Sequence, residues 1–259
     1  MSGDISCAVT DAIAWITIDR PDVRNALDSR VFAELTALVQ SCGANRDIRC
    51  VIITGGGERV FISGADIREF REKLATPELA IAYDAEAERL NEAVGAIPQP
   101  VIAMLNGHAI GSGCLLAIAC DFRVAAETAK LGIPVAKIGI CIGPPDLLRL
   151  AQLVGVARAK RLLMTGELLD ARQALVDGLV DKVAPPGALR DETLALAHAL
   201  IANAPLSLKA TKEMAARFLR PAITVQDGAP WYVETYGSAD LTEGIDALLA
   251  KRKPAFTGR

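Results

Sequence analysis

Two glycine-rich turns, each set behind a short apolar run, constrain this chain more than any other feature. One is Phe61-Ile62-Ser63-Gly64-Ala65-Asp66-Ile67, which comes after the run Val51-Ile52-Ile53-Thr54 and its Gly55-Gly56-Gly57 break. The other is Asn106-Gly107-His108-Ala109-Ile110-Gly111-Ser112-Gly113, directly after Val101–Leu105. Short β-branched runs closed by glycine read as buried strands. Small residues where a strand hands over to a helix leave backbone N–H groups that the first helical turn cannot satisfy. Two such turns on neighbouring strands would aim two N–H groups at one oxygen, which is the construction of an oxyanion hole. Taken singly, each is equally an ordinary tight turn.

The rest of the first half repeats the same alternation. Ile13–Ile18 reads as a strand, and residues 29–42 carry Val31, Leu35, Leu38 and Val39 at helical spacing with Asp28 or Ser29 as N-cap. A helix over residues 77–94, a buried helix over 114–119 and a strand over 122–125 come next. Strands joined through helices imply a mainly parallel sheet with helices outside it. From Asp146 onward the pattern is nearly all helical. Leu189–Ile201 carries an apolar stripe, Pro205, Pro221 and Pro230 punctuate the later helices, and residues 241–253 join Ile245, Leu248 and Leu249 to a basic end. The expected division is an α/β core over residues 1–195 and a helical region over 196–259.

Composition removes several function classes. A net charge of −3 without a Lys/Arg cluster interleaved with aromatics argues against a nucleic-acid surface. Six scattered cysteines without CxxC spacing, beside two histidines, argue against a zinc site and for reduced thiols. Residues 1–10 carry acidic Asp4 and no basic-then-apolar signal pattern. Apolar stretches stop short of the roughly 20 residues a spanning helix needs, so a cytoplasmic protein is expected.

Four blocks then carry a resemblance. IDRPDVRNALD (18–28), FISGADIREF (61–70), PVIAMLNGHAIGSGCLLAIACDFRVA (100–125) and EGIDALLAKRKPAF (243–256) resemble, in order and spacing, the crotonase or enoyl-CoA hydratase/isomerase superfamily. The likeness covers essentially the whole chain. It implies an α/β fold of repeated ββα units in a spiral, related to the Clp-type peptidases, with a C-terminal helical region used for trimerisation. It also implies acyl-CoA ligands, self-association as homotrimer or hexamer, and no cofactor beyond the CoA that the substrate carries. By the same mapping the two oxyanion N–H donors are Ala65 and Ser112, the latter in place of the usual glycine. Ser63, Asp66, Ile67 and Arg68 would line the adenine and pantetheine channel, Arg24 would sit near the nucleotide phosphates, and Lys251 would approach the adenine end. For Arg24, Arg68 and Lys251 the plainer reading is solvated surface charge.

The departures matter as much. Ordinary hydratases place two glutamates where this chain resembles them but has Leu115 and Val135, and neither side chain can transfer a proton. Weak or absent hydration is therefore expected, with isomerisation, decarboxylation or C–C cleavage of an acyl-CoA as fitting alternatives. The acyl pocket is expected to include Leu115, Val135, Ile140, Cys141 and Ile142. Relatives with other chemistry carry an aspartate in the loop after Val135, about three positions before Asp146. Asp146 is a catalytic candidate, although its place behind Pro144-Pro145 also suits a helix cap or first-turn acid. Cys141 reads more simply as a small buried hydrophobe, and Glu69, Glu72, Tyr83 and Glu86 as a solvated face. Two other functions stay open. One is a non-catalytic acyl-CoA-binding subunit. The other is a serine hydrolase using Ser112 with a histidine, though Ile110 breaks GxSxG, His108 is only four residues away, and His198 reads as a packing residue.

Overall fold

The computed structural model describes residues 3–219 and 224–257, so Pro221 lies outside the described residues. Strands β1 (Ile5–Thr10), β2 (Ile13–Ile18), β3 (Cys50–Gly55), β4 (Val60–Ile62) and β5 (Val101–Leu105) occupy the first part of the chain. Strands β6 (His108–Ile110), β7 (Phe122–Ala126), β8 (Lys130–Gly132), β9 (Leu169–Asp170) and β10 (Lys182–Ala184) come after them. They form two sheets, ordered β1-β2-β3-β5-β7-β10 and β4-β6-β8-β9. Three times in succession the chain lays one strand in the large sheet, the next in the small sheet, and then turns into helical structure. That is the expected ββα spiral.

Burial explains the large sheet. Strand β3 is buried along its whole length, as a parallel strand covered on both faces must be. Its alternate side chains serve two cores: Val51 and Ile53 point into the main one, Cys50 and Ile52 into the other. The second core is closed by the helix Leu189–Ile201, whose Ala197 is buried against the sheet with Leu194 and Leu200 beside it. Burying one Ile or Leu side chain contributes about 1.5–3 kcal/mol, so a sheet filled on both faces is held firmly.

The helix over Ser29–Ala44 starts at Asp28, whose carboxylate accepts the Val31 N–H at 2.8 Å. Thr76 caps Pro77–Ala96 in the same way, through the Leu79 N–H. Leu189–Ile201 forms with the expected bounds. It also runs without a break through residue 195, where the sequence suggests a division.

The region after Asp146 is nearly all helical, as expected, with two short strands added: β9 pairs with β8, and β10 extends the large sheet parallel to β7. These strands are two and three residues long, too short for a period-2 signal. His198 is not a packing residue, for it is exposed on its helix.

Candidate active site

The small sheet brings the two glycine turns together. Strands β4 and β6 are parallel neighbours, so their C-terminal ends, and the turns behind them, lie side by side. The spacing is tight enough that a Cβ added to Gly111 would sit 3.7 Å from the Gly64 Cα. Both glycines adopt positive φ, +122° at Gly64 and +53° at Gly111, which a side chain would resist. Leu27 clamps the first turn from outside: its N–H donates to the Gly64 carbonyl at 2.9 Å, and its carbonyl accepts the Asp66 N–H at 2.8 Å. That pairing skips the Ala65 N–H. Ser112 is the first residue of the helix Ser112–Ala119, so its N–H has no intrahelical acceptor either. Among the described residues neither N–H donates to a protein acceptor.

Two buried asparagines fix the approach to these turns. Asn106, at the end of β5, accepts the Gly55 N–H at 3.1 Å and donates to the Gly57 carbonyl at 2.8 Å. Asn25 donates to the carbonyls of Gly56 and Val60. Together they tie the loop ahead of β4 to the large sheet. Neither role is legible in the sequence, because these partners lie 31 to 51 residues away along the chain.

Of the expected CoA-binding residues, Arg24, Ser63, Asp66, Ile67 and Arg68 lie in or against the first turn. The Arg24 carbonyl accepts the Ser63 N–H, and the Ser63 hydroxyl donates to the Val23 carbonyl. Arg24 itself is exposed with a left-handed backbone, φ 54°. Asp66 is buried and paired with the exposed Arg68, whose guanidinium holds the carboxyl below the usual carboxylate range. Ile67 is half-buried, and Lys251 is exposed.

Leu115, Val135, Ile140, Cys141 and Ile142 are all half-buried and packed on the main core. Burial pushes the Cys141 thiol up to about 11, so it stays protonated at neutral pH. His108 is exposed, and its Nδ1 accepts the Lys130 N–H at 3.2 Å.

Asp146 belongs to the first turn of Pro144–Val154, whose N-cap is Gly143. It does not cap through a side-chain hydrogen bond. Its Oδ1 accepts from Arg149 at 2.9 Å and from Asn91 at 3.2 Å, and Arg149 also pairs with Glu88. Burial pushes the Asp146 carboxyl up to about 7 against the pull of Arg149.

The expectation of a solvated face over Glu69 to Glu86 fails in part. Tyr83 is buried, with Phe32 and Phe70 edge-on to it at 6.2 and 6.4 Å. Glu69 accepts the N–H and hydroxyl of Ser29, while Glu72 is exposed as expected.

Sequence reasoning passes over Asp84 and Tyr232. The Tyr232 hydroxyl, from the helix Ala229–Tyr236, donates to Asp84 Oδ2. A Cβ placed on Gly143 would lie 3.3 Å from that hydroxyl and 3.4 Å from that carboxylate oxygen. Tyr236 stacks on Tyr232 at 5.3 Å and donates to the Cys141 carbonyl. Enclosure raises the Asp84 carboxyl to about 6, opposed by the Tyr232 hydrogen bond. The one sequence signal is the i, i+4, i+7 spacing of Asp84, Glu88 and Asn91, a polar stripe on a partly apolar helix.

Residues 8–259 match the profile of the enoyl-CoA hydratase/isomerase family. A crotonyl-CoA hydratase from Syntrophomonas wolfei is 34% identical over 251 residues, covering 96% of each chain. An enoyl-CoA hydratase/carnithine racemase structure from Magnetospirillum magneticum is 35% identical with a TM-score of 0.82, covering 100% of this chain and 97% of its own. A methylmalonyl-CoA decarboxylase solved with 2-nitronate-propionyl-CoA is 25% identical with a TM-score of 0.88, covering 98% of each.

Proposed function

Because the chain belongs to the enoyl-CoA hydratase/isomerase family, we propose that it is an enzyme acting on an acyl-CoA thioester by stabilising the enolate, and not an ordinary hydratase. The observation that carries this reading is the pair of adjoining turns that leave the Ala65 and Ser112 N–H groups without protein acceptors. As the enolate forms, charge builds on the thioester oxygen, so fixed donors act more strongly on the transition state than on the substrate. One such donor typically contributes about 3 kcal/mol.

Leu115 and Val135 support the second half of the proposal. Both are half-buried apolar side chains and offer no group to hold or deprotonate a water. Isomerisation, decarboxylation and C–C cleavage need the enolate but not that water. The decarboxylase likeness agrees with such chemistry. Arg24, Ser63, Asp66, Ile67, Arg68 and Lys251 are proposed to hold the CoA, which arrives with the substrate and is the only group this chemistry requires. Self-association as a trimer or hexamer through the C-terminal helices is also proposed, since Leu206, Met214, Trp231, Val233 and Leu248 are exposed there.

A catalytic role separates from a binding-subunit role by exchange. In deuterated water the protein should replace the α-protons of butyryl-CoA, as read by proton NMR. Binding of acetyl-CoA without exchange would mean a binding subunit; the absence of both would end the thioester reading.

A further inference from the structure

The helix Pro77–Ala96 puts two different faces to use. Tyr83 and Glu86, three apart, share one, whereas Asp84, Glu88 and Asn91 form a separate stripe. Glu88 and Asn91 on that stripe are spent on Arg149 and Asp146. Asp84 is not. It extends to the loop before Pro144–Val154, beside Gly143, and Tyr232 holds one of its oxygens. Among the described residues the other oxygen receives no hydrogen bond, and the residue keeps some exposure.

From this geometry we propose that Asp84, positioned by Tyr232, is the proton-transfer group of the acyl pocket. The proposal rests on the enolate-stabilising reading above and names the base that reading lacks. The loop it adjoins carries Ile140, Cys141 and Ile142, the half-buried residues expected to line that pocket. Other candidates are less suited: Asp146 is bound to Arg149 and Asn91, the Cys141 thiol is held protonated, and Leu115 and Val135 carry no exchangeable proton.

The step balances simply. The α-C–H proton passes to the Asp84 carboxylate, and the C–H electron pair becomes the double bond between the α-carbon and the carbonyl carbon. The carbonyl π pair moves to oxygen, and the resulting oxyanion is received by the Ala65 and Ser112 N–H groups. Return of a proton from Asp84 to the α-carbon reverses it, and solvent deuterium enters through the carboxyl.

Charge around Asp84 suits a base active near neutrality. Glu88 lies one turn along its own helix. Tyr83 neighbours it on the same helix, Asp146 faces it from Pro144–Val154, Cys141 from the loop, and Tyr232 and Tyr236 from Ala229–Tyr236. Arg149, the nearby cation, pairs with Glu88 and Asp146 and not with Asp84. No further cation among the described residues holds Asp84 ionised at low pH, in agreement with its upward shift to about 6.

The test uses the full chain, butyryl-CoA and α-proton exchange. Asp84→Asn should lower exchange by roughly 100-fold or more while acetyl-CoA binding by calorimetry is unchanged. Asp84→Glu should recover part of the loss. Tyr232→Phe should still exchange, with the midpoint of its pH profile moved upward because the carboxylate loses a stabilising donor. Wild-type exchange in Asp84→Asn would overturn the assignment and leave the enolate reading standing. Absence of exchange in the unmutated protein would overturn both. Should Asp84→Asn lose CoA binding through misfolding, an unmoved pH midpoint in Tyr232→Phe would overturn it instead.

Discussion

The turns behind β4 and β6 and the acidic stripe of Pro77–Ala96 are built on opposite plans. The turns use backbone donors, and their construction is local: a short strand, a glycine with positive φ, a helix start. The stripe uses side chains whose partners come from segments 55 to 148 residues away. Rigid N–H groups need no proton balance and no counter-charge. Buried carboxylates need both, so Glu88 and Asp146 share Arg149, while Asp84 has only the Tyr232 hydroxyl. The difference is between chemistry supplied by chain geometry and chemistry supplied by charge assembly, and each fails in its own way.

The largest effect should come from the charge assembly. Arg149→Ala leaves Glu88 and Asp146 buried without their cation, which should cost about 3–5 kcal/mol of stability, read by urea unfolding. A cost below about 1 kcal/mol would mean that the pair behaves as an exposed one. Next comes the backbone region. Ser112→Pro deletes one oxyanion donor and should slow α-proton exchange by about 10²–10³-fold. A melting measurement on the same variant shows whether the turn survives. Full exchange in a folded variant would remove Ser112 from the site.

The smallest effect is on pH dependence. Burial raises the Asp84 carboxyl to about 6 and the Asp146 carboxyl to about 7 in the folded chain, against about 3.9 for an unfolded aspartate. The folded form therefore binds these protons more readily, and stability from this source is lost as pH rises from about 4 through about 7. Urea midpoints at about pH 5 and about pH 8 should differ less in Asp146→Asn than in the unmutated chain. An unchanged difference would contradict the assignment.

The same contrast sorts the legible from the hidden. Ile13–Ile18, Val101–Leu105 and Leu189–Ile201 are readable because hydrophobic periodicity fixes their bounds. The glycine turns are readable because their signature is contiguous. Strand β1 escapes notice because much of it is exposed and its apolar face is thin. The small sheet escapes because its strands are three residues or fewer. Asn25, Asn106, Asp84 and Tyr232 act across the fold, and nothing near them in sequence marks their partners. Asp146 stands in a suggestive loop, yet the structure ties it to Arg149, while the carboxylate beside that loop comes from another helix.

Hydration of crotonyl-CoA by the purified chain tests the central claim most directly, with acetyl-CoA binding measured on the same sample. The account predicts binding with hydration slower by about 10²–10⁴-fold than a carboxylate-assisted site would give, because Leu115 and Val135 offer no acid or base to water. Rapid hydration would contradict it, and would mean that another group activates water in this pocket.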